Sequence, residues 1–481
     1  MATHTEQQQR PQQHRHRDVF RSCVEDLDRR GLRRRPRIVG GDDGKEANLK
    51  IDFTSNDYLG LSTHPLVRRA IARAALECGT WRSSPVVGGY SVYHRELELA
   101  LMALKKTEEC MLFSSGFAAN VGVMTSLARL GYDFFSDELN HASLIDGMRM
   151  GNNNNASRRH VYRHNDLGHL EELLGAGCPD AKKAVVTDRL FSMDGDFCDL
   201  EGLLRLQRRF GYLLVVDEAH STLVVDETNE RSEVGESGGC SSPSLAGWPN
   251  EDVIRIGTLS KAVRFDVFDR RAGDGGGKRA PPPRRRRRRG GHGDGSLASF
   301  PLQERRKQEF NGIIIIIIII IIIIRSPTRD HHCPQVGQTG GFVCCSRIVR
   351  DVLFNLARTF VYSTALSVPT VVGARVAIEL GTGREGDRRR AWLWRAVRAC
   401  GGTSPILLLP ARDEAALEAV RARMEAEGAR VGAIRPPTVT GCRVRMSVCY
   451  VEGVGAAEVA RWRGRCAALL GESGCVQGSR L

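Results

Sequence analysis

The fourteen cysteines of this 481-residue chain include no Cys-x-x-Cys pair and no zinc-like spacing. That excludes the common zinc modules and thioredoxin-like redox motifs. The nearest approach, "DHHC" at 330–333, lacks partner ligands. Scattered cysteines in a large chain read as reduced core thiols, and no metal is expected. The first residues carry no apolar stretch, so a secreted protein is not expected. The longest apolar homopolymer is twelve isoleucines at 313–324. It is too short for a bilayer, which needs roughly 20 apolar residues, so no membrane partner is expected.

A basic folded body is also missing. The net charge is +14. Residues 1–37 hold ten Arg against five acids, and residues 264–336 hold sixteen Lys and Arg against seven. Those two stretches supply +5 and +9, so the remainder is near neutral. A nucleic-acid binder would carry its basic face on the folded part, so no nucleic-acid partner is expected. The tetrad "DEAH" at 217–220 also labels a helicase family. Such enzymes need a G-x-x-x-x-G-K-[ST] phosphate loop, and no stretch of the chain matches it.

What is present is alternation. Residues 1–50 read as a polar arm. "PLVRRAIARAALECG" reads as a helix with Pro65 at its start and Gly79 just past its end. From Cys110 onward, apolar strands such as "KKAVVTD", "GYLLVVD" and "DVIRIGT" alternate with helical segments. That pattern predicts an α/β fold with a mostly parallel sheet covered on both faces. Ligands in such sheets sit beyond the carboxyl ends of the strands. The polar clusters fall there: Ser115–Phe117, Asn140–Ser143, Ser192–Asp196, Asp217–His220 and Thr258–Lys261. Toward the C-terminus "ARDEAALEAVRARMEAEG" reads as a helix stopped by Gly428, and "CRVRMSVCYV" as a strand. This end forms a smaller α+β domain, with Arg443 and Arg445 on one strand face and Val444 and Met446 on the other.

A lysine after Ser and Thr at a strand end suits pyridoxal phosphate chemistry. The cofactor needs an amine for attachment, here Lys261. It needs an anion beside its pyridine nitrogen, and Asp217 suits that. His141 or Phe117 can stack on the ring, and the turn "SSGFAAN" offers helix-start N–H groups to the phosphate. Singly, each residue is an ordinary loop or cap residue. In order, at successive strand ends, they make the cofactor reading far stronger.

At this point the chain resembles the α-oxoamine synthases, a family of fold-type I pyridoxal-phosphate enzymes. "FTSNDYLGLSTHP", "GGYSVYHRELE", "SSGFAAN", "NHASLIDG", "FSMDGD", "VVDEAHST", "GTLSKA", "VYSTAL" and "IRPPTV" carry the likeness from about Arg33 to Arg445. "GYSVYHRELE" and "IRPPTV" are similar to members of biotin synthesis, especially plant-like forms, that condense L-alanine with a pimeloyl thioester. The alternatives within the family use glycine or serine, and an inactive dimerising homologue is a further one.

The resemblance implies roles. Lys261 would hold the cofactor and then remove the alanine Cα proton. Asp217 would pair with the pyridine nitrogen, and His141 would stack on the ring and orient substrate. Ser192 and His220 would bond the ring's oxygen side. Gly116, Phe117 and Thr258 would seat the cofactor and its phosphate. Ser363 and Thr364 would reach that phosphate from a partner subunit, implying a homodimer. Arg33, Asn56, Thr438 and Arg445 match substrate-contacting positions, with Arg445 gripping a carboxylate, a two-pronged task that lysine does poorly.

The resemblance breaks once. It implies a large domain from 51–263 and 337–370 and a small domain at 371–478. Residues 264–336 between match nothing in the family. We read this segment first as sequence absent from the working protein, then as a disordered loop, and last as a basic module. Loop closure alone would not forbid it, at about 0.6 kcal/mol per doubling of length. An exposed polyisoleucine would be an aggregation hazard. The chain ends in Ser479-Arg480-Leu481, a variant of the Ser-Lys-Leu address. The expected location is the peroxisome, or else the cytosol.

Overall fold

The computed structural model describes residues 15–30, 33, 49–79, 83–151, 157–225, 252–261, 340–436 and 439–472. The isoleucine run, "DHHC", Thr438 and the terminal tripeptide lie outside them.

Helix α1 (Arg15–Arg29) is a helix within the segment expected only as an arm. Strand β1 (Ile51–Asp52) follows, then α2 (Pro65–Cys78). Pro65 starts α2 and Gly79 ends it at φ +65°, where a side chain would be strained. A tight turn at Pro85–Gly89 leads into α3 (Val92–Lys105).

The central sheet then builds up. Its strands are β2 (Glu109–Phe113), β3 (Asp133–Asp137), β4 (Arg159–Tyr162), β5 (Lys183–Asp188), β6 (Leu213–Asp217), β7 (Val253–Thr258) and β8 (Gly341–Cys345). Between them run α4 (Gly116–Arg129), α5 (Ala142–Gly151), α6 (Leu167–Ala176) and α7 (Leu200–Phe210). The strand order is β2-β8-β7-β6-β5-β3-β4. Only β8 runs against the rest, pairing antiparallel with both β2 and β7. The six others share one direction, so their carboxyl ends form one edge. Strands β5 and β7 are buried at every position, as continuous apolar runs in a doubly covered sheet require.

Across the gap after Lys261 the chain re-enters in register. Thr258 lies opposite Gly341, and Leu259 N–H donates to the Gly340 carbonyl. Gly340 and Gly341 therefore lie directly beside Thr258 and Leu259, at the point where the described chain leaves β7.

Helices α8 (Arg347–Leu356), α9 (Arg358–Val361), α10 (Val368–Thr382) and α11 (Arg384–Ala399) come next. The last stretch holds β9 (Ile406–Ala411), α12 (Glu414–Glu427), β10 (Ala429–Arg430), β11 (Gly432–Ile434), β12 (Cys442–Ser447) and α13 (Ala456–Glu472). Strand β12 sits between β11 and β9 in an antiparallel sheet. Val444 and Met446 are fully buried on one face of β12, as its alternation requires. One apolar core runs from Tyr58 and Leu101 through Phe342 to Met446 and Leu470, so the C-terminal sheet shares its interior with the β2–β8 side.

Candidate active site

The parallel strands deliver their end residues to one edge. Asp188 ends β5, Asp217 ends β6 and Thr258 ends β7. His141 precedes α5, and Gly116 opens α4.

Asp217 is buried and held at both oxygens. Oδ1 accepts the Ala219 N–H, and Oδ2 accepts Asn120 Nδ2 at 2.7 Å. Asn120 lies one turn into α4, on the face that looks at β6. Its Nδ2 also donates to Ser143 Oγ. His141 is fixed in turn. Ser143 Oγ stands 2.6 Å from its Nδ1, and the Ser143 N–H also points there. Two donors at Nδ1 leave the proton on Nε2. Burial lowers the imidazole's proton affinity, opposed by Asp217. The His141 N–H donates to Asp188 Oδ2, and burial with the Asp217 charge pushes the Asp188 carboxyl well up.

Lys261 Nζ lies 2.8 Å from His220 Nε2. Burial pushes its ammonium down to about 8, against the opposing pull of Asp217 and Asp188. The amine is thus within reach of its nucleophilic form near neutral pH. Burial and the Lys261 and Arg445 charges hold His220 neutral, well below the ordinary imidazole range. Tyr58 Oη stands 2.6 Å from His220 Nδ1 and 3.4 Å from Asn56 Oδ1. Asn56 Oδ1 accepts both terminal nitrogens of Arg445 at 3.2 Å. Arg445 Nε donates to the Ser192 carbonyl at 2.9 Å and Nη1 to Ser447 Oγ. A continuous polar line thus joins Lys261 to Arg445 through His220, Tyr58 and Asn56.

At the start of α4, Ser115 caps the Ala118 N–H with its hydroxyl. The N–H groups of Gly116 and Phe117 have no acceptor among the described residues. Thr258 Oγ1 stands 2.8 Å from Ser260 Oγ and donates to the Gly340 carbonyl. A Cβ at Gly116 would come within 3.1 Å of the Thr258 Cβ, so the helix start and β7 approach as closely as glycine permits. A Cβ at Gly341 would collide with the Ser115 backbone.

Pyridoxal phosphate fits this donor set. Free helix-start N–H groups with the Thr258 and Ser260 hydroxyls suit a phosphate, the anchored Asp217 suits a pyridinium, and Lys261 offers the amine. Phe117 is half exposed, which leaves His141 as the better-fixed ring neighbour.

The structure gathers Gly116, His141, Ser192, Asp217, His220, Thr258, Lys261, Asn56 and Arg445 at this edge. Three expected residues make no hydrogen bond or ion pair with this group among the described residues. The Arg33 side chain pairs with Asp28 at 2.7 Å, while its carbonyl accepts from Arg435. Ser363 and Thr364 make no hydrogen bond to the group among the described residues. Their segment packs on the Ser83–Gly89 turn, where Ala365 N–H donates to the Ser83 carbonyl and Ser84 Oγ to the Val361 carbonyl. Sequence reasoning missed Asn120, Tyr58 and Asp188, and gave Ser143 only as the end of a polar cluster. Asn120 had one signal, since four residues after Gly116 it shares that helix face.

Beneath Asp217 lies a buried charge cluster. Glu218 contacts Lys105 Nζ at 2.9 Å, Arg189 Nη1 at 3.0 Å, and Arg255 Nε and Nη2 at 3.0 and 2.9 Å. The Arg189 N–H also donates to the Asp217 carbonyl. The residue that follows Asp217 is thereby pinned from α3, from the residue just after β5, and from β7.

Residues 48–264 match the family described as aminotransferase class I and II. An 8-amino-7-oxononanoate synthase of Arabidopsis thaliana is 32% identical over 420 residues, covering 82% of this chain and 70% of that one. A putative 8-amino-7-oxononanoate synthase of Parvibaculum lavamentivorans is 31% identical over 454 residues, covering 92% and 94%. Among solved structures, a serine palmitoyltransferase of Sphingomonas wittichii superposes with a TM-score of 0.67 at 23% identity, covering 96% of this chain and 98% of that one. An 8-amino-7-oxononanoate synthase of Francisella tularensis superposes at 0.56 and 18% identity, covering 88% and 99%. These structures share the fold. The sequence relatives, together with a lysine, aspartate and histidine gathered at one sheet edge, show that the chain belongs to the α-oxoamine synthases, pyridoxal-phosphate-dependent acyltransferases of fold type I.

Proposed function

We propose that this protein condenses L-alanine with a pimeloyl thioester, releasing CO2 and the thiol and giving 8-amino-7-oxononanoate, the biotin precursor. The observation that carries this is the run of relatives bearing that enzyme's name at about this identity over most of the chain. The acidity of alanine's Cα is the hard part of the reaction. When bound, pyridoxal phosphate supplies an electron sink for the carbanion.

The chain's own residues do the rest. Lys261 attaches the cofactor and then takes the Cα proton at Nζ, an amine already tuned toward neutral pH by burial. Asp217 keeps the pyridine nitrogen protonated, and Asn120 and the Ala219 N–H hold its carboxylate in place. His141, with its proton on Nε2, would stack on the cofactor ring. His220 and Ser192 serve its oxygen side. Gly116, Phe117 and Thr258 seat the cofactor and its phosphate. Arg445 binds the substrate carboxylate, steered by Asn56, the Ser192 carbonyl and Ser447. Arg33 and Thr438 belong to the substrate side in this reading.

We place Ser363 and Thr364 at the phosphate of a second copy, which makes the working form a homodimer. The exposed apolar residues Val87, Val92 and Tyr362 near those two segments support such a face. Two domains divided near residue 370, a removable segment at 264–336 and a peroxisomal or cytosolic location complete the proposal. The likeness in fold to serine palmitoyltransferases supports one alternative, a relative that uses serine or glycine. Thiol release with pimeloyl-coenzyme A tests the choice. Alanine should support turnover at least tenfold better than glycine or serine. A preference for serine would establish the alternative.

A further inference from the structure

His164 stands between two carboxylates. Its Nδ1 is 3.0 Å from Asp137 Oδ1, at the end of β3, and its Nε2 is 2.8 Å from Asp196 Oδ2. Carboxylate oxygens only accept, so both ring nitrogens must donate, and only the imidazolium does that. The surroundings are arranged for it. Asp137 is fully buried. Asp196 Oδ1 is buried with no partner among the described residues, so the charge of Asp196 leans on Oδ2 and its two donors, His164 and Asn165. The Phe191 ring meets the imidazole edge-on at 4.5 Å. Glu138 accepts the His164 N–H. The neighbouring Arg163 is engaged with Asp166.

Asp196 belongs to a hairpin, whereas His164 lies in the turn after β4. Leu190 bridges Phe197, the Phe191 N–H donates to the Asp196 carbonyl, and Gly195 turns the chain at φ +74°. Gly195 rests so closely on β9 that a Cβ would collide with the Ile406 carbonyl. The tip of this hairpin holds the arginines of β12. The Ser192 carbonyl accepts Arg445 Nε, and Asp194 and the Met193 carbonyl accept Arg443 Nη1. The hairpin is short and cross-bonded, with the Gly195 N–H also donating to the Phe191 carbonyl, so a shift at Asp196 carries through Phe191 to the adjoining Ser192.

We propose that His164 is a positioning residue for amino-acid substrate binding: as an imidazolium it clamps the Leu190–Phe197 hairpin, whose tip aims Arg445. This rests on the reading of Arg445 as the carboxylate-binding residue. Asp137 and Asp196 raise the proton affinity of His164, although burial opposes them. A group whose folded pKa is raised contributes below its ordinary value and loses that contribution as pH rises through the raised one. The clamp is therefore formed at pH 6, below the ordinary imidazole value, and is released only as pH rises above that ordinary range.

The test is the alanine KM and kcat of the holoenzyme, wild type and His164→Gln, from pH 6 to pH 9. Changes at Lys261 affect both proteins alike, so the ratio of their KM values isolates His164. At pH 6 the variant's KM should be about tenfold higher, the effect of losing one charge-assisted hydrogen bond, with kcat changed less than about twofold. The ratio should fall toward one by pH 9. A residue that only fills space would give the same ratio at every pH, and that result would overturn the proposal. Asp196→Asn, at a partly exposed position, should reproduce the pH 6 rise and lower the His164 titration midpoint seen by NMR of labelled histidine. An unchanged midpoint in Asp196→Asn would equally overturn it. Arg445→Lys is assayed alongside. If it raises KM while the His164 ratio stays flat, only the clamp is wrong. If it leaves KM unchanged, the reading of Arg445 fails and takes the clamp with it.

Discussion

Replacing Glu218 by glutamine removes one charge and no volume from the cluster under Asp217. Each carboxylate oxygen now serves two cationic donors: Arg189 and Arg255 at Oε1, Lys105 and Arg255 at Oε2. Whichever way the amide sits, its NH2 faces two of those donors. Breaking a buried ion pair by removing one partner costs about 3–5 kcal/mol, because an uncompensated charge remains. A fold of several hundred residues has an unfolding entropy of roughly 0.7 kcal/mol/K, so the melting temperature should fall by roughly 4–7 °C. Burial works against the Glu218 carboxylate, but Arg255, Lys105 and Arg189 together hold its pKa far below the ordinary range. A depressed carboxylate contributes above its unfolded pKa and loses that contribution only as pH falls through the folded one. The difference between the two proteins should therefore be constant from pH 6 to pH 8. The assay is thermal unfolding by circular dichroism at matched scan rate and cofactor concentration. A drop under about 1 °C would refute the view that the cluster is a structural pin.

Three further outcomes follow from the site. Arg445→Lys keeps the charge but cannot reach Asn56 and the Ser192 carbonyl together, so the alanine KM should rise about tenfold or more with a smaller effect on kcat. Cofactor uptake by the apo protein, followed by absorbance, should quicken with pH and level off above about 8, because the Lys261 amine must be neutral to attack; a flat profile between pH 6 and 9 would contradict the assignment. Deleting residues 264–336 should leave cofactor binding and alanine turnover intact or improved, since Thr258 and Gly341 already pair across the gap; loss of binding in a soluble, folded deletion would show that the segment is needed.

Much of this was legible in the sequence. Continuous apolar runs ending in polar clusters placed Asp217, Thr258 and His141 at strand ends, because a parallel sheet has only one edge to which all its carboxyl ends go. Helix ends were legible where Pro65, Gly79 and Gly428 act through backbone geometry alone. The return of the chain after residue 336 was legible only through the resemblance to the family; the structure adds that Gly341 packs there against the Ser115 backbone. What could not be read was tertiary. Asn120 is apart from Asp217 by nearly a hundred residues, and its role depends on how α4 lies on β6. Tyr58 meets His220 across 162 residues. Glu218 was hidden inside "DEAH", where nothing local foretells that three cations converge on it. The helix within the N-terminal arm was missed although Val19, Phe20, Cys23, Val24 and Leu27 recur at helical spacing, because the many charges around them made the stretch read as an arm.

The central claim is that Lys261 and Asp217 form a working cofactor site that selects alanine. The most direct measurement is the visible absorbance of the purified chain with pyridoxal phosphate, before and after L-alanine, with glycine and serine in parallel and Lys261→Ala as the control. The account predicts a cofactor band in the wild type that shifts more with alanine than with glycine or serine, and no protein-bound band of that kind in Lys261→Ala. A wild-type spectrum indistinguishable from free cofactor, or from that of Lys261→Ala, would contradict it.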